Sequence, residues 1–367
     1  MERYDGSVNI CATVVPNIGE VDLLTIDFIR MKKHTHFLDP RKNFQETVIE
    51  SEIRVDPLTQ STGRIAHFSK LDFPAIDVEE LSKQSLAGGF CPFCPNNVES
   101  VTPKFPSDIT KQGRFRQGEA VVFPNLSPYD AHSAVTVVSR NHLVPMQDLT
   151  ATRLTDALEA SIQYFRAVHQ RDKHLGYGLI NWNYFPMAGA SLLHPHLQVF
   201  ATDTPGNYLK LEIEGSRAYR QQTGRSFWED FLAEEKRLNE RYLGDTGSVS
   251  WVVNFIPFGF IFDVTAVFRE RLTVLDLTHD DVFSFAQGMQ PVLRYMQDHH
   301  IYSFNLALYP SATPEDDVWV HARISARGSF NPAVHAADVG AIRHMYNEPF
   351  AMFYPEQVAE EMRPLFF

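Results

Sequence analysis

Two hydrophobic periods alternate along this chain, and the switches between them lay out its elements. "EAVVFP" and the β-branched "AVTVVS" flank a Pro-Tyr-Asp turn and predict two strands. The period then lengthens. Leu154, Leu158, Ile162, Phe165 and Val168 form a helical stripe, which Thr150 or Thr152 can cap. "GYGLINWNYF" and "LHPHLQVFAT" return to strand. The order then recurs. "SVSWVVNFIPFGFIFDVTAVF" and "RLTVLDL" predict strands, "THDDVFSFAQGMQPVLRYMQDHH" a helix capped by Thr278, and "YSFNLALYP" and "VWVHARISAR" strands. Strand, strand, helix, strand, strand therefore occurs twice, which points to a duplication whose halves share order more than residues. No linker rich in Gly, Ser and Pro separates them, so packed halves are expected.

Ahead of the first round, residues 1–48 read as an arm with "VDLLTIDFIR" as its one apolar stretch. "RVDPLTQSTGRIA" and "GGFCPFCPNN" are turn-rich. The expected organisation is the arm, a first half over 49–205 and a second over 206–367, with an α+β fold.

At 367 residues the chain exceeds one minimal core. Its 44% hydrophobic and 21% charged residues are ordinary for a globular protein. A net charge of -12 argues against nucleic-acid binding, which draws on surplus Lys and Arg. A nucleotide ligand needs only a few local donors and stays open. "MERYDGSVNI" carries charge where a leader would be apolar, and no 18-residue apolar run predicts a membrane span. Three cysteines, Cys11, Cys91 and Cys94, make no disulfide framework, which suggests a reducing, cytoplasmic setting. "CPFC" alone fits either zinc or a redox pair. Gly88-Gly89 before it and Pro95-Asn96-Asn97 after it look like a knuckle in a loop. A zinc site would need two more ligands, and histidines are the obvious source.

The combination of "IRVDPLT", "CPFC", "VSRNH" and "NWNYFPMAGASLLHPHLQ" resembles the galactose-1-phosphate uridylyltransferase family of the histidine-triad superfamily. The likeness is strong at these motifs from about residue 50 to about 215 and fades beyond them. It implies two histidine-triad-like halves that share one continuous antiparallel half-barrel sheet packed with helices. The family's Gly-x-Ser-x-x-His-Pro-His-x-Gln falls on Gly189, Ser191, His194, His196 and Gln198. The resemblance assigns a structural Zn2+ to Cys91, Cys94, His142 and His194. It makes His196 the nucleophile of a ping-pong transfer through a covalent nucleotidyl-histidine, assisted by Gln198 and Ser191. Asn125, Leu126, Asn183, Gly189 and Ala190, with Ser191 and Gln198, become nucleotide contacts. Arg54 and Arg64 become phosphate contacts, and the family's members pair as homodimers.

The chemistry agrees with these assignments. Residues i, i+2 and i+4 of a strand share a face, so His194, His196 and Gln198 would point to one site. A neutral imidazole is a good nucleophile, its second nitrogen held by a backbone acceptor. Gln198 and Ser191 can donate to phosphoryl oxygens, and glycine at 189 admits close backbone approach. A closed four-ligand zinc leaves no position for water, so its role is structural.

The departures restrict what the likeness carries. Bacterial relatives hold a second metal with three histidines and a glutamate. Here Glu212 and His321 remain, Arg323 and Tyr309 replace the other two, and no second metal is expected. Phe350 and Ala351 stand where a Gln-Arg pair would meet the hexose phosphate. Leu197 stands where the sugar transferases usually carry glycine and dinucleoside polyphosphate phosphorylases carry leucine. The expected activity is transfer of a nucleoside monophosphate from a nucleotide sugar to a sugar 1-phosphate. The alternatives are a phosphorylase that uses phosphate, a hydrolase, and a zinc-stabilised nucleotide binder without catalysis. No nucleic-acid or membrane partner is expected.

Overall fold

Alternation is clear in Tyr177–Tyr184 and His196–Thr202, which bury one face and leave the other half-buried, while Val249–Val253 and Asp263–Phe268 are buried on both faces. The structure is a computed structural model that describes residues 26–66, 73–87, 89–328 and 340–367. Cys11 and the start of the predicted arm lie outside them. The N-terminal strands are β1 (Arg30–Asp39), β2 (Gln45–Val55) and β3 (Thr62–Ala66), followed by helices α1 (Val78–Leu86) and α2 (Pro95–Val101). The first round comprises β4 (Phe115–Gln117), β5 (Ala120–Pro124), β6 (His132–Val137), α3 (Ala151–Arg171), β7 (Tyr177–Tyr184) and β8 (His196–Thr202). Helices α4 (Asn207–Thr223) and α5 (Phe227–Leu238) lead to the second: β9 (Tyr242–Thr246), β10 (Val249–Val253), β11 (Asp263–Phe268), α6 (His279–Asp298), β12 (Ser303–Tyr309) and β13 (His321–Arg327). The chain closes with α7 (Ala341–Tyr346), β14 (Phe350–Ala351) and α8 (Pro355–Met362).

The fold is α+β. Ten strands form one sheet in the order β4-β5-β6-β8-β7-β12-β13-β11-β10-β9, and every pairing in it is antiparallel. Reading outward from the centre, each first-round strand has a second-round counterpart. The two rounds meet at β7 and β12, where Asn183 pairs with Asn305 and Trp182 with Leu306. Ile180, Trp182 and Tyr184 of β7 face the core with Phe304 and Leu306 of β12. Asn181 and Asn183 face the other way and are half-buried.

Helices α3 and α6 cover the apolar face and pack on each other. Thr150 caps α3, its hydroxyl accepting from the Arg153 N–H, and the predicted stripe of Leu154, Leu158, Ile162, Phe165 and Val168 is buried. Thr278 and Asp281 form a reciprocal capping box on α6. Gly288 lets α6 lie on the sheet, since a Cβ there would fall 2.2 Å from the Trp251 indole. None of the described helices is long and apolar enough to cross a membrane.

Three expectations are corrected. "RLTVLDL" is not a strand. Asp276 turns the chain by accepting from the Thr273 N–H at 2.9 Å, and this local bond competes with a ladder. Strand β8 begins at His196, so His194 lies on the approach to the strand. The arm boundary at residue 48 falls inside β2, which pairs with β1 along a ten-residue register.

Strands β1-β2-β3-β14 form a second sheet, with β14 parallel to β3. An internal ion cluster ties it to the rest. Arg54 is fully buried, and its guanidinium donates to Glu52 at 2.8 Å, to both oxygens of Glu356 at 3.0 and 2.9 Å, and to the Phe255 carbonyl at 3.0 Å. Arg241, also fully buried, joins Glu356 at 3.1 Å and Glu235 at 2.9 Å. Arg54, expected at a phosphate, is therefore an internal strut. Arg64 lies on this second sheet, paired with Glu348 at 2.9 Å.

Burial alone would raise the Glu356 pKa, but Arg54, Arg241 and Arg30 together hold it down at about 2. The unfolded value is about 4.3. A depressed carboxylate stabilises the fold above its unfolded pKa and loses that effect as pH falls through its folded one. The shift corresponds to about 3 kcal/mol. Glu356→Gln should therefore lower urea stability by about 3–5 kcal/mol at pH 7, because it leaves buried guanidinium charge unbalanced. The gap to wild type should hold down to about pH 5 and narrow towards pH 2. A pH-independent gap would exclude this account.

Candidate active site

The four predicted metal ligands converge from three separate stretches of chain. Cys91 and Cys94 come from the knuckle before α2, His142 from the loop after β6, and His194 from the approach to β8. One ligand atom from each lies within 4.8 Å of the others. His194 Nδ1 is 3.7 Å from both sulfurs, and His142 Nδ1 is 3.6 Å from Cys94 Sγ. Metal–sulfur bonds of about 2.3 Å and metal–nitrogen bonds of about 2.0–2.1 Å at tetrahedral angles set an edge of about 3.6 Å. The cluster can therefore hold a metal ion.

Hydrogen bonds from the far ring nitrogens fix the imidazoles. His194 is fully buried, and its Nε2 donates to the Ser139 carbonyl at 2.8 Å, which leaves Nδ1 as the lone pair facing the thiols. Ser139 is itself held, its hydroxyl donating to Glu119 at 2.7 Å. His142 Nε2 meets Ser85 Oγ at 2.9 Å. Burial holds His194 down at about 4, and burial beside Cys91 pushes the Cys94 thiol up to about 11. A bound cation reverses the thiol's preference, because a coordinating thiol is deprotonated.

His196 follows two residues later. Its Nδ1 donates to the His194 carbonyl at 2.8 Å, and Nε2 has no hydrogen bond among the described residues. Burial lowers its pKa, and the bond to the carbonyl opposes the shift without cancelling it. Burial therefore favours the neutral ring, protonated at Nδ1 with its lone pair on Nε2. Phe93, inside the cysteine knuckle, stands edge-on to the His196 ring at 5.1 Å and to the His194 ring at 6.1 Å. The cysteine knuckle thus packs against both imidazoles.

Gln198 shares the open face with His196. Asn181 pairs with it across β7 and β8 and donates to its Oε1 at 2.9 Å, and Gln198 Nε2 reaches the Tyr129 hydroxyl at 3.3 Å. Asn183 lies two residues along β7 on the same face, one position beyond the Trp182–Leu197 pair that ends the ladder with β8. The turn that follows is strained. Buried Phe185 has φ +70° and ψ 162°, a region that is essentially glycine's. Its carbonyl accepts from the Ala188 and Ala190 N–H groups at 3.1 and 3.2 Å. Gly189 then takes φ +89° with open space around it, so its conformation, not crowding, calls for glycine. Ala190 is half-buried and Ser191 exposed at the end of this turn. Asn125 closes the loop before β6 by accepting from the Ser127 N–H at 2.9 Å, and Leu126 at its tip is 81% exposed.

The structure brings together the metal ligands, His196, Gln198 and Asn183. It does not bring Arg54 to them. Sequence reasoning missed Phe93, Tyr129, Asn181 and Asn305. Asn181 was readable, because "NWN" puts Asn181 and Asn183 on one face of a strand. Nothing local marked Asn305.

In the second round Arg323 is buried. It donates to Asp263 at 2.9 Å and the Ile256 carbonyl at 2.6 Å, with its guanidinium 3.4 Å over the Phe258 ring. His321 lies 3.3 Å from Glu212, stacked on Tyr309. A guanidinium has no lone pair and repels a cation, so these residues do not fit the second metal that the resemblance carries.

No family model matches the chain. An uncharacterized protein of Archaeoglobus fulgidus is 29% identical over 321 residues, 88% of this chain and 93% of its own length. A galactose-1-phosphate uridylyltransferase of Hypocrea jecorina is 29% identical over 184 residues, and the match spans about half of each chain, 48% and 47%. Among solved structures, an ADP-glucose phosphorylase from Arabidopsis thaliana with bound ADP-glucose superposes with a TM-score of 0.66 at 18% identity, covering 85% of this chain and 98% of that one. A uridylyltransferase gives 0.61 at 19% identity, covering 85% and 97%. The chain therefore has the fold of the galactose-1-phosphate uridylyltransferase-like proteins of the histidine-triad superfamily, and it resembles that family in sequence.

Proposed function

We propose that the protein is a nucleotidyltransferase that works through a covalent intermediate on His196. The observation that carries this reading is the His196 ring itself. It is neutral, anchored at Nδ1 by the His194 carbonyl, and open at Nε2. In the first step the Nε2 lone pair forms a bond to the α-phosphorus of a nucleotide sugar, and the bond from phosphorus to the leaving phosphate oxygen breaks. The sugar 1-phosphate leaves with that electron pair. The ring gains positive charge, which the His194 carbonyl stabilises through the Nδ1 proton. In the second step an acceptor phosphate oxygen attacks phosphorus, and the P–N bond returns its pair to Nε2. Gln198, Asn183 and Ser191 donate to the phosphoryl oxygens as charge grows. Leu126 and Tyr129 offer an exposed surface for the base. Cys91, Cys94, His142 and His194 would hold zinc in a structural role.

Two observations favour inorganic phosphate over a hexose phosphate as acceptor. Phe350 packs on Phe260 and Ala351 is fully buried, so neither presents a polar group to a sugar. The solved relative with the bound nucleotide sugar is named a phosphorylase. The exposed Met31, Leu38, Phe44, Val48 and Ile49 of the β1–β2 hairpin support a homodimer.

Metal analysis should find about one zinc per chain, the stoichiometry of a closed four-ligand site. Cys94→Ser should lose the metal and melt at lower temperature, because structural metal binding contributes folding free energy. Full retention of metal in that variant would exclude the assignment, and a second tightly held metal would contradict the reading of Arg323.

Incubation with ADP-glucose and UDP-glucose in turn, without acceptor, should leave an acid-labile, base-stable nucleotidyl mass on the chain. His196→Gly should abolish it, keep the zinc, and lower turnover on the order of 10^6-fold, the scale of losing a nucleophile. Turnover without an adduct and with intersecting double-reciprocal lines would indicate direct transfer. Binding without turnover would indicate the non-catalytic reading.

A further inference from the structure

The amide of Asn305 in β12, from the second round, joins the β7 face of the first across the seam. Its two N–H donors go to Asn183 Oδ1 at 2.7 Å and to the Ala188 carbonyl at 2.9 Å. Its oxygen accepts from the Arg327 guanidinium. Two of these partners are unambiguous. A guanidinium only donates and a carbonyl only accepts, so the orientation of Asn305 is forced. That orientation then forces the next one. Asn183 must turn its oxygen to Asn305, which leaves its own Nδ2 donors for the open face of β7, one position beyond the Trp182–Leu197 pair. The same Asn305 amide ties down the carbonyl of Ala188, the last residue before Gly189 in the strained turn.

We infer that Asn305, itself oriented by Arg327, is a positioning residue that sets Asn183 as a hydrogen-bond donor to the phosphoryl group of the bound nucleotide. The inference rests on the proposed nucleotide site, but not on the covalent step. It gives the second round a duty in the first round's chemistry. The second round's own open face carries the buried Arg323, whose hydrogen bonds go to Asp263, Tyr208 and the Ile256 carbonyl. Its Asn305 and Arg327 instead fix the polarity of a ligand contact on the neighbouring strand.

Two substitutions separate this from a merely structural role. Asn305→Asp keeps the size and the pairing with Arg327, but a carboxylate only accepts. Asn183 must then rotate to donate to it, and its oxygen turns towards the phosphoryl group. Asn305→Leu removes the constraint and leaves Asn183 free to adopt either orientation. A structural role therefore predicts that Leu does more harm than Asp. A positioning role predicts the reverse order for ligand binding, with melting temperature following the structural order.

The experiment measures equilibrium binding of AMP and of UMP to the zinc-loaded protein by calorimetry. Whichever nucleotide the wild type binds should bind Asn305→Asp about 10- to 100-fold more weakly, the range for a hydrogen bond to a charged group. Asn305→Leu should bind it only a few-fold more weakly. In an Asn183→Ala background, Asn305→Asp should cost no more than about twofold, because the two act as one unit. Equal effects, the reverse order, or a full loss from Asn305→Asp that persists without Asn183 would overturn the inference, the last by indicating simple charge repulsion. Failure of the wild type to bind either nucleotide would overturn it as well. Binding in the expected order by a wild type that forms no covalent adduct would leave this inference standing and remove only the covalent mechanism.

Discussion

His194 carries the constraint on which the rest of the site depends. Three of its atoms are committed at once. Nε2 is held by the Ser139 carbonyl, Nδ1 faces the two thiols, and its own carbonyl accepts from His196. Rotation of that ring or shift of that peptide would open the Cys-His cluster and release the His196 ring together. Pro195 limits the chain between the two histidines, since its φ is fixed by the pyrrolidine ring. The Cys-His cluster lies beside His196 and positions it through one peptide unit, with Phe93 of the cysteine knuckle packed against both rings.

The sheet makes this local arrangement rigid. Strand β8 lies between β6 and β7, and one face of the three, with Ala134, Ile180, Trp182, Leu197 and Val199, is buried in the main core. The polar face can then hold a row of side chains whose spacing is set by strand register, not by loop conformation. The seam at β7 and β12 extends that row into the second round. The two rounds differ in what they do with the same strand order. One keeps an open face with a neutral imidazole. The other fills its face with Arg323, held by Asp263 and stacked on Phe258. A fixed internal cation there serves packing and charge balance.

Much of this was legible in the sequence, for physical reasons that differ by element. Helices α3 and α6 announced themselves through an apolar stripe and a threonine cap. The strands showed a period of two and a β-branched composition. Cys91, Cys94, His142, His194 and His196 were singled out by the family resemblance that the short motifs carry. Legibility failed where a side chain overruled local propensity. "RLTVLDL" has strand composition, yet Asp276 satisfies the backbone locally and turns it. Arg54 has the charge to meet a phosphate, but three hundred residues of intervening chain bring Glu356 to it first. Asn305 sits in an unremarkable strand, and its meaning comes from a neighbour in the other half of the molecule. Long-range pairings of this kind leave no mark within a sequence window.

The central claim is that the His194 peptide holds His196 as a neutral ring with its proton on Nδ1. Long-range proton–nitrogen NMR on histidine-labelled, zinc-loaded protein reads that directly. Against a His196→Gly spectrum as the assignment control, His196 should show a protonated Nδ1 and a bare Nε2 at pH 7, and it should keep that form below the ordinary histidine titration range. A ring protonated on Nε2, or an imidazolium at pH 7, would contradict the account.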